Sequence, residues 1–299
     1  MVVKLLKKIA GRAQKSGALP ELPGKEDVRW KFEAVCRQLD VDSEAVRDLV
    51  LYELTDGTRT STDLDGVDAY LDGSLFVLRL AHMLDALGCS CAYVLTVGEG
   101  HKVRDNWQEM MEALQKSVAI WKAYVEKYNI RMKFVGNFSA LEGMDEFKES
   151  LAKLEEYSKK NSGMVLFVLV NYSADWAYAD ARFKQLPNAN VIVKHTKGQV
   201  NEGLWLPGKL HGNSFVYVQQ GSCSSTWTDN QLINFIAMCT RSMVLHKGRQ
   251  YGKSYEAGER EEIRQQREID MSFVHKKLAE HPTKRVVMFS HVGPEIYEF

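Results

Sequence analysis

Asp56, Gly57 and Arg59 are the residues whose types and spacing could do chemistry most directly. They stand in the stretch ELTDGTRTSTD (residues 53–63), directly after an apolar run at residues 49–52. A carboxylate here can hold Mg²⁺, which prefers hard oxygen ligands, and a glycine lets backbone amides approach an anion closely. The arginine can bind a phosphate through paired hydrogen bonds. The same residues are typical of an ordinary polar turn, so the stretch alone leaves both interpretations open.

Two further clusters of basic residues follow predicted strands. GEGHKVR (residues 98–104) stands before a predicted helix, and a helix N-terminus with basic side chains is a ready anion site. The stretch lacks the lysine-threonine ending of a P-loop and the spacing of a dinucleotide fingerprint, which argues against nucleotide binding. KHTKGQVN (residues 194–201) is the second cluster. The side chains concerned are His101, Lys102, Arg104, Lys194, His195, Lys197 and Asn201.

The elements that must position these clusters alternate along the chain. Apolar runs predict strands at residues 49–54, 91–97, 130–137, 164–172, 190–195 and 215–220. Helical spacing predicts helices at residues 26–48, 74–87, 104–129, 142–160, 174–186 and 228–246, with a long loop at 56–73. The alternation predicts an α/β fold with a central, mostly parallel six-stranded sheet flanked by helices. In such a sheet, ligands bind beyond the carboxyl ends of the strands, so the basic clusters should share one rim and favour an anionic ligand.

Composition excludes several classes of function. Of 299 residues, 45% are hydrophobic and 26% charged, which is typical of a globular protein with a real core. The 39 basic and 39 acidic side chains cancel, so no bulk charge favours nucleic acid as a partner. The five cysteines lack paired spacing, which argues against a disulfide framework and a zinc site.

The N-terminus offers a candidate membrane contact. No apolar run reaches the roughly 18 to 20 residues that a membrane-spanning helix needs. Residues 1–16 are typical of a short basic amphipathic helix, which can lie on an anionic membrane surface. The alternative is a solvated leading helix. We therefore expect a cytoplasmic protein, with peripheral membrane contact through residues 1–16 left open.

A family resemblance rests on residues 130–181. This region resembles the cis-prenyltransferases of the undecaprenyl diphosphate synthase type, whose pattern is a strand ending in F-[IV]-G-[DN], a helix, N-[NS]-[ST]-G, and a strand ending in N-Y. The spacing between these signatures also fits, and the resemblance extends over residues 50–252. The matching residues are Phe134, Gly136, Asn137, Leu141, Asn161, Gly163, Asn171 and Tyr172.

The resemblance assigns the flanking stretches, with departures. TDGTR is similar to the family's Asp-Gly-Asn-x-Arg loop, although Thr58 replaces the asparagine and Arg59 comes one position early. Arg104 matches the arginine of the F-S-x-E-N-W-x-R turn, whose S-x-E-N part is degraded to Gly98–Glu99–Gly100–His101. In the last motif Lys194 stands for the first arginine, and the glutamate-x-arginine pair is missing. The family's downstream metal-binding glutamate falls near His211 or Asn213.

The resemblance implies an enzyme, of prenyltransferase or terpene synthase type, that acts on an allylic isoprenoid diphosphate. Mg²⁺ assists departure of the diphosphate, followed by prenyl transfer to an acceptor or by cyclisation. Asp56 would be the catalytic residue and metal ligand, and the diphosphate would be bound by Gly57, Thr58, Arg59, Arg104, Lys194 and Asn201. Polar rim positions are His101, His195, His211 and Asn213, and tunnel-lining positions are Leu75, Leu78, Met110, Met111 and Leu114.

Two other functions stay open, and so does the assembly. The chain could be a catalytically silent subunit of an active cis-prenyltransferase, or a module that binds lipid diphosphates without turnover. The resemblance implies a homodimer or a heteromer with a homologue. We expect an N-terminal helical extension (residues 1–48), a cis-prenyltransferase-like domain (residues 49–252) and a charged C-terminal extension (residues 253–299).

Overall fold

The computed structural model of the chain describes residues 21–55, 64–195, 206–207, 209–218, 227–246, 256–280, 285–290 and 293–298. Strands and helices alternate through the first part of the chain, as the sequence predicts. No helix in this described part is both long enough and apolar enough to cross a membrane.

The strands form one sheet, in the order β3-β4-β2-β1-β5-β6-β7-β8. Their bounds are β1 Leu51–Leu54, β2 Cys91–Gly98, β3 Arg131–Val135, β4 Val165–Tyr172, β5 Ala189–His195, β6 Leu210–Val218, β7 Arg285–Ser290 and β8 Gly293–Glu298. The first six strands in this order are parallel, which confirms the predicted fold class. Within the described residues the sheet has eight strands rather than the predicted six, because β7 and β8 form an antiparallel hairpin that extends it beyond β6.

The helices are α1 Lys25–Gln38, α2 Gly66–Ala86, α3 Trp107–Tyr128, α4 Asp145–Ser158, α5 Ala174–Ala179, α6 Asp229–His246 and α7 Ala257–Glu280. Three helix bounds differ most from the sequence-based expectation. Helix α1 ends at Gln38 instead of residue 48, because Asp40 adopts a left-handed conformation (φ +50°), and Ser43–Asp48 form a separate 3₁₀ helix. Helix α2 begins at Gly66 instead of residue 74, because its polar first turns still bury Ala69, Leu71 and Asp72. Helix α5 ends at Ala179 because the Asp180 carboxylate accepts the backbone N–H of Arg182 at 2.8 Å, which diverts the chain.

The sheet separates two cores because alternate strand residues point to opposite faces. On β1, Leu51 faces the larger core, which α1, α2, α3, α4 and α6 cover, whereas Tyr52 and Leu54 face a second core. The second core is covered by short pieces, among them α5 and the 3₁₀ turn at Phe183–Gln185.

The segments outside residues 49–252 contribute to the larger core. Phe32 of α1 and Phe273 of α7 are both buried in it. The buried Arg241 of α6 fastens both helices, since its Nη1 donates to the carbonyl of Leu39 (2.6 Å) and its Nη2 to that of Gln266 (2.7 Å). The predicted division into three parts stays a prediction, but α1 and α7 share a core with the sheet.

Side chains of α4 cap the edge strand β3. The backbone N–H of Phe134 donates to Glu155 Oε2 at 3.0 Å, and that of Met132 donates to Ser158 Oγ at 3.0 Å. An uncapped edge exposes such groups to pairing with another chain. The capping therefore ends the sheet at β3.

Candidate functional site

The strand order creates a crevice between β1 and β5 at the carboxyl edge. These strands are neighbours, with Leu54 opposite Lys194, but the chain leaves β1 toward β2 on one side and β5 toward β6 on the other. Ligands of open parallel sheets bind where strand connections diverge in this way. The predicted rim therefore has its centre at the end of β1.

Thr55 is the last described residue before the Asp56 stretch, and its hydroxyl donates to the carbonyl of Leu95 in β2. This bond fastens the end of β1 to its neighbour. Several predicted site residues lie outside the described part of the chain: Asp56, Gly57, Thr58, Arg59 and Asn201. His195, His211 and Asn213 are described through their backbone only, as members of β5 and β6.

Lys194 lies one residue before the end of β5 and is 6% exposed. Its neighbours along the strand show the direction of its side chain: Val193 belongs to the larger core and Ile192 to the second core. Because side chains alternate, Lys194 points to the second face, together with Leu54. The structure thus places Lys194 at the rim while covering most of its side chain.

Arg104 follows β2 in a protruding segment. Residues Glu99–Val103 form a 3₁₀ helix, and Val103 at its end is 89% exposed. The Arg104 side chain is exposed, and no carboxylate of the described residues lies within ion-pair distance of it. The His101 side chain bonds within its own segment, since its Nδ1 accepts the N–H of Gly98 at 3.3 Å. Arg104 is therefore available to an anion, whereas His101 helps to shape its own segment.

Glu99 is a rim residue that sequence reasoning missed. Its Oε1 accepts from Asn137 Nδ2 (2.6 Å) after β3, and its Oε2 accepts from the hydroxyl of Ser173 after β4. One carboxylate thus joins the carboxyl ends of three strands. The only signal in the sequence was an acid directly after a strand, because its partners lie 38 and 74 residues away.

Gly136, Asn137 and Asn171, which carried part of the family resemblance, meet beside this carboxylate. The backbones of Asn137 and Asn171 are joined by an N–H···O bond of 3.1 Å, and Asn171 Nδ2 donates to the carbonyl of Asn137 at 2.7 Å. Asn171 is fully buried with φ +51°, a left-handed conformation that asparagine tolerates better than most residues. A Cβ on Gly136 would lie 1.7 Å from the Val170 carbonyl oxygen, so only glycine allows this approach.

Sequence comparisons identify no relative: no protein-family model and no curated protein sequence matches the chain. Solved structures do match. Lavandulyl diphosphate synthase from Lavandula x intermedia, solved with dimethylallyl diphosphate, aligns with a TM-score of 0.55 at 12% identity, over 68% of this chain and 97% of that one. A probable undecaprenyl diphosphate synthase from Campylobacter jejuni aligns with a TM-score of 0.50 at 14% identity, over 69% and 99%.

The chain has the fold of the cis-prenyltransferases. At such low identity the alignment establishes the fold, and each residue has to be judged from its own contacts. The two structures cover about two thirds of this chain, so the cis-prenyltransferase fold does not account for all of it.

Asn161 and Gly163, which also matched the family pattern, lie far from the rim. They precede β4 at the amino edge of the sheet, where Asn161 Nδ2 donates to the carbonyls of Val125 and Ile130 at 2.8 Å each. A Cβ on Gly163 would lie 2.4 Å from the carbonyl oxygen of Asn129. This part of the cis-prenyltransferase pattern therefore builds a turn and takes no part in a rim site.

The predicted tunnel wall lies between the sheet and the helix pair α2–α3. The predicted lining residues in the larger core are Leu78, Met110, Met111 and Leu114, all 5% exposed or less. Leu75 is half-buried and does not belong to this core. Trp121 fills the deeper part, where its Nε1–H donates to Ser74 Oγ at 2.9 Å. Since α3 starts directly after the rim segment, an apolar layer runs from the rim at Met110 toward Trp121.

Ionisable groups in the interior have structural roles. His82 is 3% exposed, and its Nε2 lies 2.8 Å from the carbonyl oxygen of Pro23. Burial lowers the pKa of His82, so the ring stays neutral. Burial also raises the pKa of Tyr52 and Tyr172 below the rim, which keeps both phenols neutral. None of these groups is placed to act as a charged base at the rim.

Proposed function

We propose that the protein binds an allylic isoprenoid diphosphate at the carboxyl edge of the sheet and catalyses departure of the diphosphate with Mg²⁺. The position of β1 is the observation that supports this best. β1 lies between β2, which leads to Arg104, and β5, which carries Lys194, and Asp56 follows its last residue, Leu54, by two positions. Asp56, as a ligand for Mg²⁺, would thus follow a strand whose two neighbours carry or lead to the basic side chains that would bind the diphosphate.

The metal would rest on few protein ligands. The described residues contain no group of three or more His, Cys, Asp or Glu that could hold a metal ion. Mg²⁺ commonly takes one or two carboxylates and completes its shell with waters and substrate phosphate oxygens, so Asp56 alone suits this metal. When bound, the ion would draw negative charge from the leaving diphosphate.

The chain's own residues would bind and shield the substrate. Arg59, Arg104 and Asn201 would hold diphosphate oxygens, with Lys194 adding positive charge from the neighbouring strand. The isoprenoid tail would follow the apolar layer between α2, α3 and the sheet, which would keep water from the allylic cation. The fate of that cation, transfer to an acceptor or cyclisation, depends on the substrate offered.

The alternative is a catalytically silent partner of an active cis-prenyltransferase. Two observations favour it: Lys194 is nearly covered, and Glu99 holds a negative charge at the rim. In that case the rim would serve structure and the protein would act within a heteromer. Copurification of a tagged chain with an active homologue, without turnover of its own, would favour this function.

The test is turnover by the purified full-length chain. It would be incubated with Mg²⁺ and labelled geranyl, farnesyl or geranylgeranyl diphosphate, with and without isopentenyl diphosphate. We expect release of pyrophosphate that chelation of the metal abolishes. Asp56→Ala should lower the rate by at least about 100-fold, since electrostatic stabilisation of a leaving group accounts for several kcal/mol.

A matched control is Asp63→Ala, which removes an acid from the same stretch and should leave the rate within about threefold. Release of pyrophosphate without isopentenyl diphosphate would indicate cyclisation or another acceptor. No turnover with any substrate, or an unchanged rate in Asp56→Ala, would refute the proposed enzyme.

A further inference from the structure

The segment after β2 is held by a carboxylate with two neutral donors. Asn137 Nδ2 and the Ser173 hydroxyl both donate to Glu99, and Ser173 in turn accepts the N–H of Trp176 at the start of α5. Hydrogen bonds to an ionised acceptor are roughly twice as strong as those between neutral groups. Glu99 is thus a strong link between the β2 segment and the ends of β3 and β4.

Other contacts fix the same segment around Glu99. Lys102 Nζ donates to the carbonyl of Ala140 at 2.7 Å, which ties the segment to the 3₁₀ turn Phe138–Ala140 after β3. The backbone N–H of Arg104 donates to the carbonyl of His101 at 3.1 Å. These bonds use the polar groups before Arg104, whereas its guanidinium stays exposed.

We propose that Glu99 is a positioning residue, which fixes residues 98–104 to the ends of β3 and β4 and so holds Arg104 in place for a diphosphate. The inference rests on the proposed function for the identity of this ligand. A free carboxylate at this rim would repel a diphosphate. Here both carboxylate oxygens are engaged by donors that follow the neighbouring strands, which leaves the exposed Arg104, and not Glu99, as the group of this segment that would meet the ligand.

The experiment measures the affinity of the full-length chain for inorganic pyrophosphate with Mg²⁺ by calorimetry. Arg104→Ala should weaken binding by about 10- to 100-fold, and Glu99→Ala by about tenfold, the change expected for loss of a hydrogen bond to a charged group. In the double variant, Glu99→Ala should weaken binding by no more than about twofold relative to Arg104→Ala alone, because Glu99 acts on the ligand only through Arg104.

Matched variants separate positioning from charge and from folding. Glu99→Gln can still accept from Asn137 and donate to Ser173, so it should stay within about threefold of the wild type. Glu142→Ala removes an exposed carboxylate two residues after Ala140 and should not weaken binding. If Glu99→Ala does not fold, Ser173→Ala can replace it, because this variant removes one of the two hydrogen bonds to Glu99. Ser173→Ala should weaken binding by about threefold in the wild type and should have no effect in the Arg104→Ala background.

Hydrogen exchange gives a readout that needs no ligand. In Glu99→Ala, two amides should exchange faster than in the wild type: that of Arg104, which donates to His101 at 3.1 Å, and that of Trp107, which donates to the Arg104 carbonyl at 3.0 Å. The inference would be overturned if Glu99→Ala bound pyrophosphate more tightly than the wild type. It would also be overturned if Glu99→Ala weakened binding as much in the Arg104→Ala background as in the wild type, or if the exchange rates of these amides did not change. Wild-type protein that binds no pyrophosphate would also overturn it, whereas binding without turnover would refute only the proposed enzyme.

Discussion

Replacing Gly136 with alanine should destabilise the protein strongly and open the rim between β3 and β4. The added Cβ would lie 1.7 Å from the carbonyl oxygen of Val170, although Cβ atoms essentially never approach a heavy atom closer than 3.0 Å. The neighbouring atom is backbone within the central sheet, so no flexible side chain can give way. The two strand ends must therefore separate by more than about 1 Å.

The cost follows from the bonds that this separation breaks. The Asn137 N–H···Asn171 O bond would stretch from 3.1 Å, and the Asn171 Nδ2···Asn137 O bond from 2.7 Å, both beyond bonding distance. The backbone bond contributes about 1 kcal/mol net, and loss of the acceptor for the fully buried Asn171 amide costs about 1 to 3 kcal/mol. We expect a loss of about 3 kcal/mol in the free energy of unfolding.

Urea unfolding followed by circular dichroism measures this change at constant m value. Two other glycines serve as controls. Gly143 has φ +70° but open space around its Cβ position, so Gly143→Ala should cost only about 1 kcal/mol of backbone strain. Gly100→Ala meets nothing within 4 Å and should be near neutral. A Gly136→Ala variant no less stable than Gly143→Ala would refute the packing argument.

Two further predictions concern the edge and the interior. Glu155→Ala leaves the N–H of Phe134 on the edge strand without its acceptor, so the variant should lose about 1 to 2 kcal/mol of stability and should self-associate in sedimentation experiments. Glu155→Gln keeps an acceptor oxygen and should do neither. Equal behaviour of the two variants would contradict the prediction. The lowered pKa of His82 means that the unfolded chain takes up its proton first, so stability should fall as the pH drops through about 6.5 toward the lower native pKa. His82→Phe should flatten that decline in urea titrations between pH 7 and pH 5, and an unchanged slope would exclude His82 as its source.

Local patterns predicted most of the elements because burial leaves a periodic trace along a segment. The apolar runs of β2 and β4 and the helical spacing of α6 identified these elements within a few residues of their bounds. The first turns of α2 were missed because Asp68 and Asp72 resemble loop residues, although Asp72 is buried against the fold. The C-terminal hairpin was missed because its strands are short and follow a highly charged helix.

The candidate site was predicted in part. The sequence placed acids and bases after strands, and Arg104 does lie exposed at the rim. The sequence also predicted Lys194 as a diphosphate-binding residue after a strand, but the fold covers most of its side chain. Glu99 was passed over because its partners, Asn137 and Ser173, come from other strands.

The sequence by itself determined the α/β alternation, the presence of a parallel sheet and the edge of that sheet at which polar residues collect. These follow from hydrophobic periodicity, which each segment carries locally. Only the tertiary structure decided that β1 lies between β2 and β5, that Glu99 joins three strand ends, and that Asn161 and Gly163 build the opposite edge. The physical reason is that strand order and register depend on contacts between residues far apart in the chain, which no local pattern records.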